Sequence, residues 1–289
     1  MTVSEALSKG YLYEDFRLFH LNDRLAQEVE PHYHEFDKFV MVCAGTVDYT
    51  VEGVSNRMQA GDMLFVRHHD IHRPVISPDS AYERYVLWIA PGYLERCSTE
   101  TADLSDCFAL CSRRRSFLLR PGAEQERRVR KELNELESAL RDGAFGSEIL
   151  TDACFRRLLV TLNRCVLTGP EHPPRDVDPK IDEVLRFINN HLSGELDVET
   201  LAARCYLSRY YFMRRFKEAT GYTVHGYIQQ KRLALAAEQL DAGASVTTAA
   251  LEAGFPEYSA FLRAFRKAFG LTPSEYLRRQ RRMDSSYRE

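Results

Sequence analysis

No stretch of this 289-residue chain approaches the roughly 18 consecutive apolar residues that cross a bilayer, so no membrane-spanning helix is expected. The opening residues, MTVSEALSKG, lack the apolar core of a secretory leader. The two absences imply a cytoplasmic protein with no membrane partner. No Cys-x-x-Cys pair occurs among the cysteines at 43, 97, 107, 111, 154, 165 and 205, and their odd count argues against a disulfide framework. Most lie in apolar runs such as 39–43 and 158–166, the setting of reduced, buried thiols. Cys107 and Cys111, four apart, can share a helical face and leave a metal or redox pair open, although no further ligand lies nearby. A large excess of either charge is also lacking, with 39 Lys+Arg against 42 Asp+Glu.

That near-balance hides an asymmetry. Residues 178–289 hold 17 Lys+Arg against 14 Asp+Glu, so the acidic excess belongs to the N-terminal part. The C-terminal bases are grouped: Arg209, Arg214, Arg215 and Lys217; then Arg263, Arg266 and Lys267; then Arg278, Arg279, Arg281 and Arg282. Grouping of this kind suits phosphate contacts, while a charge run can also be no more than a solvated face.

Residues 11–90 read as β structure. Short runs rich in Val, Phe, Tyr and Met (38–43, 46–51, 63–66, 85–89) are separated by Gly45, Gly53, Gly61-Asp62 and Pro74, a spacing that predicts a sandwich or barrel. Residues 123–142 place Val129, Leu133, Leu136 and Leu140 on one helical stripe, and residues 147–167 form a second, more apolar helix. The segment 169–179, GPEHPPRDVDP, has four prolines and predicts a linker. Beyond it the pattern is helical, with Ile181, Val184, Leu185 and Ile188 at helical spacing and a long helix over 223–240. Thr272-Pro273-Ser274-Glu275 spells a capping box with proline at the first helical position.

The C-terminal part repeats one signal twice: a short helix, a tight turn, then a helix carrying Arg and aromatic residues. The first copy runs from Asp197 to Gly221 and the second from Ser245 to Gly270, each closing on a glycine suited to a left-handed C-cap. Leu201-Ala202 aligns with Ala249-Ala250, Phe212 with Ala260 or Phe261, and Phe216-Lys217 with Phe265-Arg266. Such helix-turn-helix pairs read double-stranded DNA by placing the second helix in the major groove. With Tyr211, Phe212, Arg215 and Phe216 turned inward, the outward set of the first copy is Arg209, Tyr210, Met213, Arg214 and Lys217. In the second copy Phe261 and Phe265 face inward, and Glu257, Tyr258, Ser259, Leu262, Arg263 and Arg266 face outward. Arg214 and its counterpart Arg263 are the candidates for bidentate contact to guanine, while contact to phosphate alone is the alternative for both. Lys217, Arg266 and Lys267 suit phosphates.

From LSRYYFMRRFKEATG to AFGLTPSEYLR, with Gly254-Phe255 and the Phe-x-x-x-Phe of the second reading helix in place, about a hundred residues resemble the DNA-binding domain of the AraC/XylS family of bacterial transcription regulators. Two departures, Ala249 in place of a larger aliphatic and Pro256, are expected to loosen the second unit. The resemblance implies a transcription regulator, more an activator than a repressor, with RNA polymerase as a further partner.

Residues 15–95 resemble the cupin-like effector domain of many members of that family, on the strength of His32-x-His34, Gly45, Gly61-Asp62 and His72. Metal-binding cupins use two His, a Glu shortly after, and a third His. Here His32, His34 and His72 fit, but the Glu position holds Lys38 or is moved to Glu35 or Asp37. A lysine cannot replace a carboxylate ligand, so no metal and no cofactor is expected, and no catalytic residue is assigned. The same residues can instead serve polar recognition in a barrel mouth, with His32, His34, Lys38, His72, Tyr85 and Trp88 as candidate effector-binding residues. Any one of these histidines can equally be a satisfied core or rim residue. The resemblance implies a small-molecule effector, often a sugar or related compound, and Lys38 makes an acidic one worth testing. Residues 123–167 are expected to supply a homodimer contact, with the 129–140 stripe covering the barrel as the alternative.

The expected fold is therefore an α+β multidomain chain. Residues 1–168 form a cupin-like β-barrel with helices for effector binding and dimerisation, 169–179 a linker, and 180–289 an all-α DNA-binding domain with two helix-turn-helix units. The expected function is effector-controlled transcription regulation. The alternatives are a metal-binding cupin enzyme fused to a DNA-binding domain, and a regulator whose barrel only dimerises.

Overall fold

The computed structural model describes residue 12 and residues 14–23, 27–76, 81–168 and 178–278. The chain divides into two compact units, Met1–Val177 and Asp178–Glu289. Most of the expected linker, 169–177, lies outside the described residues.

In the first unit eight strands precede the helices: β1 (Phe16–Asp23), β2 (Gln27–Glu28), β3 (Asp37–Ala44), β4 (Val47–Val51), β5 (Val54–Met58), β6 (Met63–Val66), β7 (His72–Ile76) and β8 (Tyr82–Ile89). A short β9 (Leu118–Leu119) completes a sheet ordered β1-β8-β3-β6-β9, and a second sheet runs β2-β7-β4-β5. Every pairing is antiparallel. Side-chain alternation assigns each strand to two cores. In β3, Val40 and Val42 join Val47, Tyr49 and Val51 of the other sheet in the barrel interior, together with Val86 and Trp88 of β8. Phe39, Met41, Tyr85, Leu87 and Ile89 point the other way, into a core shared with the helices. Burial on both faces is why these strands read as continuous apolar runs.

The two-residue β4–β5 connection has Glu52 and Gly53 at φ 49° and 76°, the paired positive values of a type I′ hairpin. Glu52 tolerates this because its carboxylate accepts from Ile71 N at 2.7 Å and its carbonyl from the Arg115 guanidinium.

Four helices follow: α1 (Pro91–Cys97), α2 (Asp106–Arg114), α3 (Ala123–Arg141) and α4 (Ser147–Thr168). The first two have no strong periodic signal in sequence, being short and mixed in composition. Cys107 and Cys111 are both fully buried on α2, and all seven cysteines are free. Burial pushes both thiols up, Cys111 to about 12, which disfavours the thiolate a metal would need. On α3, Val129, Leu133 and Leu136 are fully buried in the unit's own core and only Leu140 is exposed. Three of the four stripe residues thus cover the barrel sheet, the alternative reading of that stripe, and Leu140 alone keeps surface that a partner could meet.

The second unit comprises α5 (Pro179–Asn190), α6 (Val198–Arg204), α7 (Arg209–Thr220), α8 (Val224–Asp241), α9 (Val246–Glu252) and α10 (Tyr258–Phe269), with a further helix over 273–278. Asp178, Asp197, Ser208, Thr223 and Ser245 cap five of these by accepting from a first-turn backbone N–H. Thr272 and Glu275 make the reciprocal capping bonds, Glu275 accepting from Thr272 N at 2.8 Å and Thr272 Oγ1 from Glu275 N at 3.3 Å. Gly221 and Gly270 end α7 and α10 in the left-handed region.

Candidate DNA-reading faces and barrel pocket

The two helix-turn-helix units, α6–α7 and α9–α10, differ by one residue. Cys205-Tyr206-Leu207 turns the first; Ala253-Gly254-Phe255 turns the second, and Pro256 is the extra residue before α10 begins. Past that insertion Phe212 matches Phe261, Phe216 matches Phe265 and Arg214 matches Arg263. The four phenylalanines are fully buried, while Phe255 packs half-buried on the second core. Ala249 lies in the same core without exposure.

Arg209, Tyr210, Met213, Arg214 and Lys217 are all exposed on α7, as are Tyr258, Ser259, Arg263 and Arg266 on α10. Leu262 departs from this set, lying half-buried against the core formed by Phe261 and Phe265. Tyr211 departs in the opposite direction: it is 41% exposed, not inward, with the Arg214 and Arg215 guanidinium groups 5.7 and 5.6 Å from its ring centre. Arg215 instead reaches Asp178, at 2.5 Å. Arg209 pairs with Glu199 at 2.7 Å and Arg214 with Glu218 at 3.3 Å. Exposed pairs of this kind are worth little and can be exchanged for phosphate or base contacts. Arg278 is exposed, and Arg279, Arg281 and Arg282 lie outside the described residues.

In the first unit, strand geometry gathers His32, His34, Lys38, His72 and Trp88. Lys38 and Trp88 are register partners across β3 and β8, and a bridge joins His32 to His72. The three imidazole rings lie 4.4 to 5.1 Å apart, centre to centre. Phe36 stacks on both His34 and Trp88 at 4.5 Å. Lys38 Nζ donates to Tyr49 Oη at 2.9 Å and lies 3.4 Å from His72 Nε2. His32 and His72 give Nδ1–H to the carbonyls of Glu30 and Asp70, which fixes Nε2 of each as a lone-pair acceptor. His34 Nε2 and Trp88 Nε1 are buried without a hydrogen-bond partner among the described residues.

Burial dominates the electrostatics of this corner and disfavours charge on every base in it. Burial, then the charges of Lys38 and neighbouring imidazoles, holds His34 and His72 well below the usual histidine range; burial and Lys38 bring His32 to about 4. Lys38 is lowered to about 7, by burial first and then by Arg84. Tyr49 is raised by burial.

Tyr85 is not part of this group. It faces the helices, its hydroxyl donating to Asn134 Oδ1 at 2.7 Å and its ring stacked on His20 at 4.1 Å. An odd separation from Trp88 along one strand puts the two on opposite faces. Conversely Tyr49 belongs to the site and was missed, although its alternation with Val47 and Val51 marks it as inward.

The three histidines invite comparison with a cupin metal site, and their ligand atoms lie within 4.8 Å of one another. The remaining donors do not fit. No carboxylate joins the cluster among the described residues; Asp37 accepts from His68 N and lies 2.9 Å from its Nδ1, away from the barrel interior. An amine stands next to the imidazoles where an anionic ligand is needed.

A DNA-reading pair of helix-turn-helix units joined to a cupin-type barrel defines a DNA-binding transcription regulator. A "Helix-turn-helix domain" family model matches residues 201–279 and a "Cupin domain" model residues 25–89. The chain is similar to the HTH-type transcriptional activator RhaR of Pectobacterium atrosepticum, 27% identical over 279 residues, 94% of each protein. It is 35% identical to the regulatory protein PocR of Salmonella typhimurium over 104 residues, 36% of this chain and 34% of that one. A solved DNA-binding domain of AdpA in complex with a target DNA is 34% identical, with a TM-score of 0.36, covering 37% of this chain and 96% of that one. The chain joins a cupin domain to a helix-turn-helix domain, the combination of AraC-family transcription regulators, and over most of its length it is similar to activators of that family. No described helix is long and apolar enough to cross a membrane.

Proposed function

We propose that this protein activates transcription, as the name of its relative RhaR says of that protein, and that it does so in the cytoplasm under control of a small molecule held in the barrel. It is a binding protein and not an enzyme in this reading. The observation that carries the effector site is the pair of buried, unpartnered atoms His34 Nε2 and Trp88 Nε1. An imidazole nitrogen that can accept or donate and an indole N–H donor, on rings 5.9 Å apart and each costly to leave unmet, suit hydroxyl groups, which donate and accept at once. A sugar or related polyol answers both, and Lys38 adds a donor for a ring oxygen or a carboxylate. His32, His34, Lys38, His72 and Trp88 form the recognition set. Domains at 1–168 and 180–289, with the linker between them, are the working division. On the DNA, Arg214 and Arg263 read bases, Arg209, Lys217 and Arg266 hold phosphates, and RNA polymerase is the downstream partner.

A homodimer accompanies this reading, through α4, the second helix of the expected 123–167 contact. Positions 150, 153, 157, 160, 164 and 167 follow the three-and-four spacing of a coiled-coil seam, and all six are exposed. The stripe carries Leu150, Val160 and Leu167.

Trp88 is the chain's single tryptophan, so its fluorescence reports the pocket alone. Titration with a panel of neutral sugars, polyols and sugar acids should give a saturable change with one class, lost in His34→Ala. The same compound should switch a reporter fused to the promoter that the protein binds. A Trp88 signal unmoved by every compound that switches the reporter would place the effector elsewhere.

A further inference from the structure

Three imidazoles converge in the barrel interior, and their ligand atoms lie within 4.8 Å of one another. Backbone carbonyls accept from Nδ1 of His32 and His72, leaving Nε2 of each as the lone-pair nitrogen, and His34 Nε2 is buried and unmet. Nδ1–H pinned to a carbonyl with Nε2 left basic is how proteins prepare histidines for a metal ion. The space is not left to one. Lys38 enters from β3, places Nζ 3.4 Å from His72 Nε2 and is steadied at 2.9 Å by Tyr49 Oη. Its charge acts on all three rings. The side chain is buried, so its amine has little freedom to swing out to solvent.

We propose that the Lys38 amine takes the place of a metal ion at this cluster, closing a three-histidine site that would otherwise accept a divalent cation. An N–H directed at an imidazole lone pair occupies the orbital that a metal would use. A protonated amine at that distance also repels an incoming ion through a medium of low dielectric. In exchange the chain gains a resident donor that needs no metal supply and presents N–H to whatever enters the barrel. The inference concerns the cluster itself and does not rest on the identity of the effector.

The test is metal binding by the purified full-length chain after chelation and dialysis, titrated with Co(II) and Zn(II). Calorimetry gives stoichiometry and the visible Co(II) spectrum gives ligand geometry. Wild type should show no saturable binding that depends on His72. Lys38→Leu removes the amine at similar volume, and exchanging a buried ionisable group for an apolar one leaves the core packed. It should take up Co(II) stoichiometrically. Lys38→Glu, which adds the missing carboxylate, should bind tighter, and adding His72→Ala should abolish uptake in both. The His72 control separates this cluster from the half-exposed group of His20, Cys43 and Glu83. Wild-type binding that His72→Ala removes would overturn the proposal. So would a Lys38→Leu protein with wild-type near-ultraviolet dichroism that binds no metal, whether or not Lys38→Glu folds.

Discussion

Tyr206 and Gly254 hold the same place in the two helix-turn-helix turns, and both have positive φ, 55° and 85°. The shared conformation makes the turn tight, but the surroundings differ. Tyr206 projects into solvent at 92% exposure. A Cβ on Gly254 would meet the Leu192 carbonyl oxygen at 2.2 Å and Ser193 Cα at 2.9 Å. The same carbonyl accepts from Arg232 Nε at 2.9 Å, so the backbone cannot simply retreat. Gly254→Ala should therefore cost ~2 kcal/mol or more, strain and clash together, while Tyr206→Gly should be neutral or stabilising by up to ~1 kcal/mol. Urea unfolding followed by far-ultraviolet dichroism distinguishes them, and effects of equal size and opposite sign would show that φ alone governs both turns.

Arg214 and Arg263 stand at equivalent positions of the two reading helices, both exposed. If each meets a guanine edge, Arg214→Ala and Arg263→Ala should each cost ~1–3 kcal/mol of specific binding and relax preference at one position of the site. Lys217→Ala should weaken binding to all sequences alike and flatten the salt dependence by ~1 in slope. Binding to a promoter fragment and to base-substituted versions, each at two salt concentrations, reads out both effects. An Arg214→Ala protein with uniform loss and unchanged preference would demote that residue to a phosphate contact.

The C-terminal half was largely legible because its signals are local. N-caps, glycine C-caps and the 3.6 period act within a few residues, and Ser208, Gly221 and the Thr272–Glu275 box all do what their spacing implies. An aromatic beside Phe212 reads as a core residue, yet the helix buries Phe212 and Phe216 and turns Tyr211 out. Pairing across sheets is harder to see. Lys38, Tyr49, His72 and Trp88 come from four strands; the registers of β3 with β8 and of β4 with β7 set each pair within its sheet, and packing of the two sheets brings the pairs together. Tyr85 shows the cost of ignoring parity: three residues from Trp88, it must face the other layer. The α3 stripe shows another limit, since periodicity reports that a helix has an apolar face but not whether that face meets its own sheet or a second chain.

The buried imidazoles make the first unit acid-sensitive. A base whose folded pKa is lowered loses stability as pH falls below its unfolded value, because the unfolded chain takes up the proton more readily. His32 drops from 6.5 to about 4, so its contribution should decline as pH falls from about 6.5 and level off below about 4. His34 and His72, lowered in the same direction, add to that slope. Lys38, lowered from 10.5 to about 7, acts in a higher window: stability should rise between those values as pH increases. Unfolding of the full chain from pH 4 to 9, followed by Trp88 fluorescence, should show both rises. His72→Gln should shrink the acid one, and Lys38→Leu the alkaline one. Slopes unchanged in both variants would mean that these groups titrate normally.

The exposed seam of α4 yields the last prediction. Leu150, Val160 and Leu167 are 48%, 36% and 60% exposed, with Ile149 beside them at 76%. Apolar side chains at this spacing on a helix whose other face is already buried are the pattern of a helix that pairs with a second copy. Arg157 also lies on the stripe and pairs with Glu135 of α3, so one charge is already neutralised within the chain. Val160→Asp, at the middle of the seam, should shift sedimentation from dimer to monomer without lowering the unfolding midpoint of the isolated subunit, since Val160 contributes little to its own core. Binding to a two-site promoter fragment should weaken far more than binding to a half-site, because only the paired protein holds both together. A Val160→Asp protein that remains dimeric would move the interface off α4. A wild-type protein that sediments as a monomer would remove the dimer from the scheme.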